Sequence, residues 1–359
     1  MAVYFLTAFV ILLLAYFSQV GDVYSEKLTE QGHVFHSAYT RRIVILACIV
    51  LVCVAGWRYY VGSDYGGYYH YYWKYANELW DRVKSLEEPG YSALSAVAKA
   101  VGADGSMAIF LASLITVSLC IFTIYKNTSE IQYALLLYMF MGWSAGFNAV
   151  RQAMAATFLF AGFPFLRDKK FVRFLLFVFL AFLCHKSAII MIVLYFLAHR
   201  KVNFFNFVIM IIGIVVLLGS YNFIFQVAEN VLDKDYDMSN TYLNTSVNIL
   251  RILVGISPAV FFGFSLLHKD KSGILGFYLN LLFIHALINI ITLNSAYIAR
   301  IAIYTSPFAL ISISELSKTI EIKYRRVIMI VIIILYFIFW IYEMNNNNSL
   351  RTFRFIWQA

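Results

Sequence analysis

Six ionisable residues stand where an apolar stretch begins or ends instead of inside a polar loop: Arg58, Arg151, His185, Lys186, Arg251 and Arg300. Such groups at membrane depth are costly to keep and are commonly functional or paired. Guanidinium groups gathered on one face, with an imidazole among them, would make a site for an anion. Taken singly, each arginine reads more readily as an anchor that snorkels to the membrane surface than as a ligand, and His185 as a packed or interfacial histidine. The pair His185-Lys186 falls in a break between two unusually short apolar segments, which favours function. Asp64 adds a carboxylate inside the stretch from Trp57 to Trp73, which also holds Arg58, Gly62, Ser63, Tyr65, Gly66, Gly67 and six further tyrosines. Glycines permit tight turns there, and flat rings with polar tips suit the C–H faces of sugars. An interfacial aromatic belt has the same composition; Arg58 and Asp64 at its start favour a site.

The elements that must position these residues are helices in lipid. Of 359 residues, 62% are apolar or aromatic and 13% charged, against roughly 45–50% and 25% in a soluble domain. No soluble core can bury that excess. A helix needs about 20 apolar residues to span hydrocarbon, fewer where it is re-entrant. That ruler marks 2–20, 43–57, 107–125, 131–147, 152–166, 172–184, 187–198, 204–224, 249–267, 273–293, 301–315 and 327–342. The expectation is an all-α polytopic integral membrane protein of about 12 transmembrane helices, some short or re-entrant, forming a single transmembrane domain over 1–359. The first segment lacks the basic start and small-residue cleavage site of a signal peptide and is read as a helix. Segment 172–198 could be one long helix or a hairpin. Only the hairpin brings Arg167-Asp168-Lys169-Lys170 with Arg173 to the same side as Arg200-Lys201, as the positive-inside rule prefers. Propagated along the chain, it makes 58–106 a long extracytoplasmic loop and 225–248 a second one. All six ionisable residues then fall on the outer face. The net charge of +9 becomes an orientation signal carried by cytoplasmic turns, with no nucleic-acid partner implied.

Other features read as structure. Cys48, Cys53, Cys120 and Cys184 lie in apolar runs and suit packing, with no disulfide framework or metal set. His285 reads as a buried histidine satisfied by Asn280, Asn289 or a carbonyl. In the long loop, Glu87 and Glu88 read as solvated, ahead of Pro89-Gly90 and a short amphipathic helix over 91–103 lying on the outer surface. The acidic run Glu229, Asp233, Asp235 and Asp237 lacks the glycine and terminal glutamate of a calcium loop. Nucleotide-binding, zinc-protease and serine-hydrolase fingerprints are absent, so no ATP-driven pump is supported.

In order along the chain, Arg58…Gly62-Ser63-Asp64-Tyr65, Asn148-Ala149-Val150-Arg151-Gln152, Cys184-His185-Lys186-Ser187-Ala188, and Arg300 before the next-to-last helix resemble the EpsG family of Wzy-type polysaccharide polymerases. Members often carry Thr where this chain has Ser63, which keeps the hydroxyl. The resemblance implies a GT-C-like bundle in the bacterial inner membrane. The implied activity is joining oligosaccharide repeat units carried on undecaprenyl pyrophosphate, in exopolysaccharide, capsule or O-antigen assembly. The implied partners are that lipid-linked oligosaccharide, membrane lipids, and a chain-length regulator and flippase of the same pathway. For such chemistry Arg58, Arg151, Arg251 and Arg300 would clamp the leaving pyrophosphate, with a helix start at Arg151-Gln152 adding its dipole. Tyr65, Gln152 and Lys186 would be further substrate contacts. His185 or Asp64 would be the base toward the incoming sugar hydroxyl; the residues leave that choice open. No cofactor or metal is demanded, since arginines supply the positive charge. A lipid-linked oligosaccharide flippase should instead show internal repeats and mid-bilayer charges, and an O-antigen ligase-like transferase a large histidine-bearing loop near the C-terminus.

Overall fold

The computed structural model describes residues 1–23, 36–219, 248–266, 273–291 and 298–358, and among these it is helical without strands. The chain opens with α1 (Ala2–Val23) and α2 (Ala38–Gly56), the latter capped by Ser37, whose hydroxyl accepts from the Thr40 amide at 3.0 Å. Four short helices fill what the sequence marks as the long loop: α3 (Tyr65–His70), α4 (Tyr72–Asn77), α5 (Leu79–Ser85) and α6 (Pro89–Ala100). Asp104 caps α7 (Gly105–Asn127). Then α8 (Ile131–Tyr138) runs through a wide turn at Met139–Trp143 into α9 (Ala145–Asn148), and the chain reverses at Ala149 into α10 (Val150–Ala161) and α11 (Phe163–Arg167). Next come α12 (Phe171–Cys184), a tight turn of helix at Lys186–Met191, α13 (Ile192–Ala198) and α14 (Phe204–Gly219). The remainder comprises α15 (Ile249–Ser265), α16 (Gly273–Ile291), α17 (Ala302–Leu316), α18 (Ile322–Asn346) and α19 (Asn348–Arg351).

Five of these, in α1, α2, α7, α16 and α18, are long and apolar enough to cross a membrane, and α12, the 186–198 segment and α15 are shorter apolar helices. Whole faces of α1, α12 and α18 present large side chains outward, among them Leu6, Val172 and Val327. In water such a band would drive association; it is the surface a membrane protein turns to lipid. Inside, α17 is buried from Tyr304 to Ser314 although it carries Thr305, Ser306, Ser312 and Ser314. Ser312 and Ser314 donate to the carbonyls of Phe308 (2.7 Å) and Leu310 (3.0 Å), so their hydroxyls reach the core already satisfied.

The hairpin at 172–198 forms. Tyr195 near the end of α13 donates to the Lys169 carbonyl at 2.7 Å and its ring meets Phe171 at 4.9 Å, which returns α13 alongside the start of α12. One end of the bundle therefore gathers basic turns: Arg167 reaches Asn127 (3.4 Å) and Arg325 pairs with Glu130 (3.1 Å). At the opposite end the C-terminal tail closes on the loop after α2. The Tyr59 amide donates to the Arg354 carbonyl (2.8 Å), the Gly62 amide to Ser349 (2.9 Å), and Tyr4 to Leu350 (2.9 Å). The helix expected over 91–103 is α6, which buries one face, Tyr91, Ser92, Ser95 and Ala98, and leaves Ala93, Val97 and Lys99 on the other exposed. Of the second loop, 225–247 lie outside the described residues.

Candidate functional site

The turn before α6 seats a carboxylate on the break in the 172–198 hairpin. Pro89 opens the helix, where its missing N–H costs nothing, and Glu88 before it is left-handed (φ 53°, ψ 55°). That conformation costs a residue with a Cβ about 1–2 kcal/mol. Gly90 lets the turn approach: a Cβ there would lie 2.8 Å from Cys184 Sγ and 3.1 Å from Cys184 Cα. Beyond Cys184 the extended His185 (φ −157°, ψ 122°) ends α12. Glu88 Oε1 pairs with His185 Nδ1 at 2.7 Å and accepts from the Lys186 amide at 2.9 Å, while Oε2 meets Arg151 Nη1 at 2.5 Å. Arg151 Nε in turn donates to the Tyr68 hydroxyl at 2.9 Å. The carboxylate side chain is 11% exposed, His185 and Arg151 a little over a quarter. Burial pushes the Glu88 carboxyl up, but the His185 hydrogen bond, the charges of His185 and Arg151, and the Lys186 amide outweigh it and hold the pKa at about 2.

A cavity of about 570 Å³ opens at the same end of the bundle. Its mouth is polar: Ser63, Asn148, Asn248, Arg251, Arg300, Tyr342 and Glu343. Asn148 Oδ1 accepts from the Ser63 amide (2.9 Å), and from Ser349 Oγ (3.3 Å), tying the loop and the tail to the tip of the α9–α10 hairpin. Arg251 pairs with Glu343 (Nε to Oε1, 2.9 Å), and Asn248 donates to the Tyr342 hydroxyl (2.8 Å), so α15 is clasped to α18 across the opening. Arg300 is exposed and has no ion pair among the described residues. The cavity reaches Tyr336, about ten residues and hence roughly 15 Å below the end of α18. There the buried Tyr336 hydroxyl has no partner among the described residues.

Adjacent residues on α10 join the two groups. Arg151 faces Glu88, while Gln152 donates to the Arg300 carbonyl at 3.0 Å. Ser187, two residues after His185, bonds to the Tyr304 hydroxyl at 2.7 Å, at the start of α17. The cluster and the cavity are thus neighbours sharing supports, although His185, Glu88 and Arg151 do not line the cavity.

A family model described as the EpsG family matches residues 41–356. The chain belongs to the EpsG family. Membership puts it among membrane proteins of polysaccharide biosynthesis. No curated protein and no solved structure matches it.

In this EpsG-family chain the residues singled out by sequence divide four ways. Arg151, His185 and Lys186 meet at Glu88; Arg251 and Arg300 line the cavity, with Gln152 beneath Arg300. Asp64 is half-buried next to the mouth and accepts from Ser63 Oγ at 3.0 Å. Arg58 and Tyr65 turn inward. Arg58 is 1% exposed and donates to the Val61 carbonyl (3.2 Å), the Ala55 carbonyl, Ser113 Oγ (3.0 Å) and the Gly146 carbonyl (3.5 Å), under the Phe147 ring at 4.7 Å. Burial lowers its pKa to about 10. The structure thus makes it a strut between the loop and the α9–α10 tip. Tyr65 is buried against Tyr69, ring centroids 5.9 Å apart. Glu88, read from sequence as solvated, is the hub of the cluster; the one local hint was its position before Pro89-Gly90. His285 bonds to Asn289 (3.2 Å) as expected and to Thr305 (2.8 Å), while Asn280 instead donates to the Ala198 and Arg200 carbonyls. Among the described residues no three His, Cys, Asp or Glu side chains gather as a metal site.

Proposed function

We propose that the chain is a Wzy-type polymerase, a glycosyltransferase joining undecaprenyl-pyrophosphate-linked oligosaccharide repeat units at the outer face of the bacterial inner membrane, in exopolysaccharide, capsule or O-antigen assembly. The observation that carries the reading is the pairing, at the end opposite the basic turns, of an arginine-mouthed cavity with a histidine–carboxylate cluster. The positive-inside rule supports a cytoplasmic position for the turns at Arg167–Arg173 and Arg325-Arg326, hence an outward cavity. The wider reading is a GT-C-like bundle of about 12 spanning or re-entrant helices, working beside a flippase and a chain-length regulator.

In the reaction, the acceptor sugar's hydroxyl oxygen attacks the anomeric carbon of the donor. The bond from that carbon to the pyrophosphate oxygen breaks, and the lipid pyrophosphate leaves with the electron pair. Arg300 and Arg251 stabilise the charge that develops, each such donor being worth about 2.7–4 kcal/mol of barrier. Asn148, Asn248 and Tyr342 offer neutral donors and acceptors to sugar hydroxyls. His185 takes the acceptor's proton, with Asp64 beside the mouth as the competing base or the group that orients the acceptor. The scheme requires no metal.

Alanine at Arg151, His185 or Arg300 is expected to abolish long polymer and leave single-repeat glycolipid on the outer leaflet, read as a surface-polysaccharide gel ladder with membrane levels of each variant measured alongside. Full-length ladders from all three variants would misplace the site. Repeats confined to the cytoplasmic leaflet would favour a flippase.

A further inference from the structure

Glu88 makes contacts that a surface carboxylate has no reason to make. It adopts a left-handed backbone disfavoured for residues with a Cβ, it is nearly buried, and both of its oxygens are used by three groups from two separate places: His185 and the Lys186 amide at the hairpin break, and Arg151 on α10. Backbone strain of this sort persists only where surrounding contacts over-determine it, and it concentrates at functional sites. An ionised carboxylate can only accept hydrogen bonds. His185 Nδ1, 2.7 Å away, must therefore carry the proton of that bond, which leaves Nε2 with the lone pair when the ring is neutral.

We propose that Glu88 is the positioning residue of the transfer reaction: it fixes the ring plane and tautomer of His185 so that Nε2 receives the acceptor hydroxyl's proton, and it balances the imidazolium that results. Arg151 keeps Glu88 ionised between turns and so serves the histidine through the carboxylate. The Lys186 amide on the same Oε1 pins the oxygen, and the Arg151–Tyr68 bond pins the guanidinium. The titratable groups facing this carboxylate are His185 and Cys184 at the end of α12, Arg151 on α10, Tyr68 beyond it on α3, and Tyr304 on α17.

The inference rests on the polymerase reading, and the experiment separates the two. The full chain is reconstituted in proteoliposomes with lipid-linked repeat units from cells lacking the polymerase, and rates are followed from pH 5 to 9. Histidine-selective 15N spectra are recorded in parallel, with His185 assigned by its loss in His185→Gln. Wild type should show His185 protonated at Nδ1. Glu88→Ala should lose about 100-fold or more in rate and release the ring to a tautomer mixture. Glu88→Gln, which keeps the shape, should move the acid limb of the pH–rate profile to lower pH, because the imidazolium loses its counter-charge. A carboxylate that only holds α6 in place would move neither the limb nor the tautomer, and an unmoved limb in Glu88→Gln or an unchanged ring in Glu88→Ala overturns the proposal. Wild-type rates in His185→Gln would instead sink the polymerase base, while the His185 spectrum would still report the Glu88 contact.

Discussion

Arg58→Ala is expected to fail by unfolding, not by loss of substrate. The guanidinium is 1% exposed and supplies charged donors to the carbonyls of Ala55, Val61 and Gly146 and to Ser113 Oγ. Ser113 still donates to the Ile109 carbonyl at 2.9 Å and loses least. The three carbonyls lose their partners in a dry setting, at about 1–3 kcal/mol for each one left unsatisfied. Water entering the vacated space recovers part of this, so about 3–6 kcal/mol is the expected loss. At the lower end of roughly 2–4 °C per kcal/mol, the thermal midpoint should fall by about 6–12 °C. Lysine should not rescue, since it cannot present a planar fork to several acceptors at once. Arg300→Ala is the matched comparison: Arg300 is exposed, with no ion pair among the described residues, so its removal should leave the midpoint within about 1 °C and act on turnover alone. The assay is a thermal-shift series on each variant purified in nanodiscs, beside the polymer ladder. An unchanged midpoint for Arg58→Ala with polymer lost would refute the strut and return Arg58 to the substrate site.

Two other outcomes follow from the same geometry. Gly62 has φ +106°, and a Cβ there would lie 1.9 Å from the Phe147 carbonyl oxygen; Gly62→Ala should cost about 3 kcal/mol or more and reduce the monodisperse fraction in size-exclusion, while Gly67→Ala, with open space around it, should not. Glu88 is held at about 2 against an ordinary 4.5, so its contribution of about 3 kcal/mol is fully present above pH 4.5 and is lost as pH falls toward 2. The midpoint gap between wild type and Glu88→Gln should not narrow from pH 7 to 5, since the carboxylate stabilises any imidazolium beside it, and should close below 4.5; a gap that closes by pH 6, or persists undiminished at pH 2, contradicts the pairing.

Residues were legible in the sequence where a short-range rule governs them. The break at His185-Lys186 and the return of α13 along α12 followed from charge sidedness alone, because a lysine or arginine turn carries its membrane side with it. Helix count was less legible, since α12, the 186–198 segment and α15 fall short of the length that marks a span, and α17 is buried despite its hydroxyls. Glu88 was illegible for a different reason. Its partners are 63 and 97 residues away, and an acidic pair after Arg82 and Lys84 has the composition of a solvated turn. Only the approach of Gly90 to Cys184 brings it to the hairpin break, and that is a tertiary fact.

The four arginines show the same division at one residue type. In sequence Arg58, Arg151, Arg251 and Arg300 are alike: a guanidinium at the edge of an apolar run. In the fold they occupy four electrostatic settings: a buried strut on carbonyls, an ion pair within the histidine cluster, an exposed pair across the cavity mouth, and an exposed group without an ion pair among the described residues. An anion arriving at the mouth therefore meets no ion-pair partner of Arg300 among the described residues, must compete with Glu343 for Arg251, and cannot draw on Arg58 without unmaking the loop. Arg151 is committed to Glu88, where its charge adds to the His185 contacts that hold that carboxylate ionised. Charge at the mouth is thus graded, with one arginine ready and one released by exchange. On the proposed polymerase reading, a pyrophosphate would engage Arg300 first and then compete with Glu343 for Arg251 across the α15–α18 clasp.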